Sequence, residues 1–76
     1  MPTIEYRGLR YLLELNAAGE PKCLKRQVSA DLGRSLWVIV WSDRHEKRPT
    51  GNHERAIEIM GFKHDQKKHR WVKLAD

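Results

Sequence analysis

Residues 35–42 read Ser-Leu-Trp-Val-Ile-Val-Trp-Ser, six apolar side chains in a row with no charge among them. β-branched and aromatic residues suit a pleated strand. Six residues are also far fewer than the ~20 that a membrane-spanning helix needs. Trp37, Ile39 and Trp41 fall on one face of such a strand, and Leu36, Val38 and Val40 on the other. A strand apolar on both faces is expected to be central and covered on both sides. In a chain of 76 residues, which has room for one core, this strand is expected to be the heart of it, and residues 1–76 to form one domain.

The flanking sequence gives that strand its neighbours. Leu9, Tyr11, Leu13 and Leu15 alternate with Arg10 and Glu14, the period-2 pattern of a half-buried strand, with Leu12 out of step. Ile4 and Tyr6 continue the alternation upstream, and Gly8 reads as a bulge or bend. Asn16 to Pro21 has the composition of a hairpin loop, with a return strand expected over Lys22 to Val28. A helix over 21–32 competes for the same stretch. Leu24, Val28, Asp31 and Leu32 fall at i, i+4, i+7 and i+8, Pro21 suits a first turn, and Gly33 suits a stop.

Asp43 to Asn52 is polar and carries Pro49 and Gly51, so it reads as a loop. Asn52 is a suitable N-cap, Glu54 lies in the first turn, and Ala56, Ile57, Ile59 and Met60 form an apolar stripe that Gly61 ends. Phe62 and Trp71 then alternate with charged neighbours on either side of Asp65-Gln66-Lys67-Lys68, which predicts a terminal hairpin. The expected fold is α+β. A small antiparallel sheet of about three strands from residues 3–42 packs with one short helix, and the C-terminal hairpin extends or flanks it. The alternative is a winged helix-turn-helix, with 21–32 as the second helix and 61–75 as the wing. The long stretch between that helix and residue 53 disfavours it.

Charge points to the class of partner. Fifteen basic and ten acidic residues leave +5. The first quarter is neutral, and the excess is spread over the rest. It is densest in chemical terms at the end, where Gly61 to Ala75 holds four lysines, one arginine and two histidines around Phe62 and Trp71. A helix followed by a basic hairpin has the layout of DNA-binding elements in which a helix enters a groove and neighbouring loops hold phosphate. In that reading Arg55 reaches a groove and Lys63, Lys67, Lys68, Arg70 and Lys73 contact phosphates, with His64 and His69 as hydrogen-bond donors. Lys22, Lys25 and Arg26, with Arg7 and Arg10, are a possible second basic face on the sheet. An exposed Tyr6, Tyr11 or tryptophan there would offer a stacking platform.

The same basic face could dock on an acidic protein surface, so a small protein-binding modulator or inhibitor is the alternative function. One exposed tryptophan beside mixed charge would favour it, because tryptophan is typical of interface hot spots.

Catalysis is not expected. Asp43, His45 and Glu46 could in principle act on a phosphodiester, but adjacent residues on a polar loop seldom converge. No glycine-rich phosphate loop or nucleophile elbow is present. His45, His53, His64 and His69 do not have metal-binding spacing, and no metal or other cofactor is expected. Cys23 is the only cysteine, which fits a reducing compartment. With no signal peptide in Met1 to Glu5 and no membrane partner, a cytoplasmic location is expected.

Overall fold

The computed structural model describes residues 3–29, 35–45 and 48–74. Its elements, in order, are β1 (Thr3–Tyr6), β2 (Leu9–Leu15), β3 (Pro21–Ser29), β4 (Ser35–Ser42), α1 (Asn52–Ile59), β5 (Phe62–Asp65) and β6 (Arg70–Lys73). The fold is α+β: a four-stranded antiparallel sheet in the order β1-β2-β3-β4, a separate two-stranded sheet β5-β6, and one short helix.

The sheet has a fourth strand because Gly8 marks a turn, not a bulge. Tyr6 pairs with Leu9, which leaves Arg7 and Gly8 as a two-residue loop with φ of 53° and 78°. Positive φ at both positions is the signature of a type I′ turn, whose twist matches that of the paired strands. A Cβ added at Gly8 would meet nothing within 4 Å, so the glycine is there for its backbone. Gly8→Ala is expected to cost about 1–2 kcal/mol from left-handed strain alone. A melt of the variant checks this, and an unchanged midpoint would mean that the turn relaxes freely.

Residues 21–29 are strand, so the helix alternative, and the winged helix built on it, fails there; Asp31, Leu32 and Gly33 lie outside the described residues. A spacing of four places Leu24 and Val28 on one side of a helix and equally on one face of a strand. What decides is that β3 is paired on both sides, Leu24 lying opposite both Leu13 and Trp41. The loop before it closes through Asn16, whose Oδ1 accepts hydrogen bonds from the amides of Ala18 (2.9 Å) and Glu20 (3.0 Å).

The main correction concerns β4. It is an edge strand, and only its end enters the core. Trp41 is 3% exposed, whereas Leu36, Trp37, Val38 and Ile39 are 54, 37, 38 and 61% exposed. In a run of successive hairpins the last strand lies at the edge, and a central place would need a crossover that is absent among the described residues. Cover is also short. Eight helical residues span about 12 Å, while the nine residues of β3 span about 30 Å. The helix and terminal hairpin therefore cover one end of the sheet and leave Leu9, Leu36 and Val38 open at the other.

At the covered end Tyr11, Leu13, Leu24, Trp41, Ala56, Ile57, Phe62 and Trp71 form the core, flanked by Ile4, Tyr6, Val40 and Met60. The helix begins one residue earlier than its sequence suggests. Gly51, at φ 63°, is the N-cap residue, no side chain among the described residues caps the helix, and Asn52 is its first helical position. A left-handed backbone is needed to turn the chain after buried Pro49, and glycine adopts it without cost from a Cβ. Arg48 then clasps Glu54 in the first turn, its Nε and Nη2 donating to one carboxylate oxygen at 2.9 and 2.7 Å.

Candidate nucleic-acid interface

The basic residues near the C-terminus are organised by the β5–β6 hairpin. His64 pairs with Trp71 and Phe62 with Lys73, so Phe62, His64, Trp71 and Lys73 share one face; Lys63 pairs with Val72 and Asp65 with Arg70, which share the other. The first face is sunk onto the sheet. Trp71 is 7% exposed, meets the Trp41 ring edge-on at 5.8 Å, and lies against His64 at 5.1 Å. Its amide donates to a carboxylate oxygen of Glu20 in the β2–β3 loop at 3.2 Å. Trp71 is therefore an anchor, and its burial excludes stacking on a base.

The second face and the tip point to solvent. Lys63 and Arg70 on that face, Lys67 and Lys68 at the tip, and Lys73 at the end of the first face are all exposed. Among the described residues the ion pairs are Lys25–Glu14 and Arg48–Glu54, so none of these five cations is neutralised by a carboxylate. Asp65 is the acid of this face, and its Oδ1 accepts from the amides of Lys67 (2.9 Å) and Lys68 (3.2 Å). That local turn holds the two lysines at the tip, next to His69, whose φ is also positive at 53°. Arg55 is exposed on α1 together with Asn52 and Ile59, the side opposite buried Ala56 and Ile57. It lies on a different element from the hairpin cations.

The second basic group does not form one surface. Lys22 is exposed. Lys25 is ion-paired with Glu14 on the sheet face opposite Arg26. Arg26 is half-buried, with no partner for its Nε among the described residues, and lines an open cleft of about 650 Å³ with Glu5, Leu9, Arg10 and Val28. As for stacking platforms, Tyr11, Trp41 and Trp71 are buried. Tyr6 is half-buried, with the Arg7 guanidinium 5.8 Å from its ring centre. Trp37 is the tryptophan left in reach of solvent, and no sequence signal distinguished it from Trp41, two strand alternations apart in one apolar run.

Asp43, Arg44 and His45 lie on an exposed turn after β4; Glu46 and Lys47 are outside the described residues. Among the described residues no group of three or more His, Cys, Asp or Glu side chains is placed to hold a metal ion, and no helix is long and apolar enough to cross a membrane.

Cys23 is buried in β3. Burial raises its pKa above the ordinary 9.0, Glu14 and Asp43 add to the rise, and Lys25 and Lys22 oppose it. The Lys25 pKa is also raised, chiefly by its hydrogen bond to Glu14. A raised pKa means that the folded chain keeps its proton after the unfolded chain has lost it. The stability from Cys23 is therefore whole below about pH 9 and falls as pH rises past it, and that from Lys25 is whole below about pH 10.5 and falls above that. The melting temperature is expected to be level from pH 6 to 8 and to drop above pH 9. The thiol should also react with a disulfide reagent far more slowly than free cysteine. Rapid labelling at neutral pH would contradict the burial.

Against known protein families, curated proteins and solved structures, the chain matches none.

Proposed function

We propose that this protein binds nucleic acid without catalysing a reaction on it, and that the ligand is duplex DNA held by its phosphates. The observation that carries this reading is a two-stranded ribbon with one face anchored in the core, which exposes Lys63 and Arg70 on its open face, Lys67 and Lys68 at its tip and Lys73 at the end of the anchored face, none ion-paired among the described residues. A major groove about 12 Å wide accepts such a ribbon, and strand readers of DNA use this geometry. Arg55, on the neighbouring helix, is the candidate for a sixth contact. A reducing, cytoplasmic setting belongs to the same reading, with its single buried thiol.

If each of the five hairpin cations neutralises one phosphate, log K should fall against log salt with a slope near −4 to −5. Titrations of duplex, single-stranded and RNA oligonucleotides over a salt series measure this. No binding to any of them at about 50 mM salt would overturn the proposal.

A protein partner is the second reading, and exposed Trp37 favours it. Trp37 lies opposite Gln27 on the sheet face that also carries ion-paired Lys25. That face is turned away from the hairpin, so the charge of the hairpin does not account for an aromatic there.

A further inference from the structure

We infer that the free edge of β4 pairs with β4 of a second copy of this chain, about a two-fold axis through Val38. This stands apart from the nucleic-acid reading, since the hairpin plays no part in it.

The two edges of the sheet are built differently. β1 is four residues long and carries Glu5. Short, charged edges are how proteins prevent unwanted pairing. β4 is eight residues long, with no charge and no proline. Among the described residues no strand pairs with its outer side, yet it presents Leu36, Trp37, Val38 and Ile39 to solvent. A groove of about 330 Å³ also runs beside it, lined by Ile39, Val40, Trp41, Ser42 and His45. An unpaired ladder with apolar side chains on both faces is a template for another strand.

The pattern selects a second copy as the occupant. In an antiparallel pair related by a two-fold axis normal to the sheet, residues facing each other must lie on the same face. On β4 the faces are interrupted by a bulge. Trp41 lies opposite Leu24 and Ile39 opposite Lys25, so Val40 is the extra residue, and it packs toward the core as Trp41 does. Leu36, Val38 and Val40 thus share the core face, and Trp37 and Ile39 the outer one. Centring the axis on Val38 sets Val38 against Val38, Leu36 against Val40, and Trp37 against Ile39, each of the last two pairs occurring twice. Every exposed apolar residue of the strand then meets an apolar one, and aromatic with β-branched is a favourable cross-strand pair. Centring on Trp37 would put Ile39 against Ser35. Centring on Ile39 would set Trp37 against Trp41, which the bulge places on opposite faces.

Charge does not oppose this register. Lys25 lies in the row of Ile39, and the next side chains across the interface are Trp37 and Gln27 of the other copy. Arg26 shares a row with its own symmetry mate, but three strand spacings of about 4.8 Å separate them by roughly 14 Å. At about 0.1 M salt that exceeds the ~10 Å screening length.

Sedimentation equilibrium of the full chain from about 10 µM to 1 mM, in about 0.3 M salt, tests the inference. The expected species has twice the 9.0 kDa chain mass. Ile39→Glu should keep the fold, because Lys25 lies opposite, while setting a carboxylate against Trp37 of the other copy. It should weaken the dimer at least about tenfold, since the change enters twice by symmetry. Oxidised Val38→Cys should form a disulfide-linked dimer, and Trp37→Cys should not. Self-pairing is overturned by a monomer at every concentration, or by an Ile39→Glu dimer as tight as the parent. Cross-linking through Trp37→Cys in place of Val38→Cys would overturn the register. A chain that stays monomeric while an added neutral, extended peptide protects the β4 amides from exchange would assign the edge to a foreign strand and also overturn self-pairing.

Discussion

Trp71→Ala is expected to lower stability by about 3–5 kcal/mol, the usual cost of removing a large buried aromatic. For a chain of this length the total is only about 4–11 kcal/mol, so the variant should melt roughly 15–30 °C lower, if it folds at all. Three separate contacts meet at this residue. The indole packs edge-on against Trp41, it covers His64, and its backbone amide binds Glu20. Trp41 belongs to the sheet and His64 to the hairpin, so Trp71 is the joint between the two sheets. Trp71→Phe should recover a good part of the loss, because an aromatic ring remains in the gap. Urea melts followed by circular dichroism check both. A Trp71→Ala melt like that of the parent would mean that the hairpin is not fastened to the core.

The second large effect falls on binding and leaves the fold alone. Lys67 and Lys68 have exposed side chains at the hairpin tip, and the bonds that shape the tip run from their backbone amides to Asp65. Replacing both by alanine keeps those bonds. If each lysine releases about 0.9 of a counterion on binding, the double variant should bind roughly 50-fold more weakly at about 0.1 M salt, with a slope shallower by about 2. Its melting temperature should match the parent. An unchanged slope would remove these lysines from the interface, and a shared loss of slope and stability would point to a damaged hairpin.

Much of the local structure is legible without the fold. The alternation in 9–15, the breakers around residue 50, the apolar stripe at 56–60 and the Phe62–Trp71 pattern each specify one element by period and punctuation. The hairpin cations could be named from sequence because charged residues alternate with two aromatics that need a core. That Lys63 and Arg70 share one open face with Asp65, while Lys73 falls on the face of Phe62 and Trp71, came from the register of the two strands. Residues 21–29 were ambiguous because a four-residue spacing suits either a helix or a strand. The second basic group looked continuous along the chain, but strand geometry sends Lys25 to the face opposite Arg26.

The apolar run 35–42 shows where sequence stops. By itself it determined that these residues form a strand and that at least one of them, now known to be Trp41, joins the core. It could not say how much of the strand would be covered, because burial depends on the order of strands and on the reach of what packs over them. Successive hairpins put β4 at the edge, and an eight-residue helix cannot cover a sheet more than twice its length. The tertiary arrangement alone therefore turned an expected central strand into an open one.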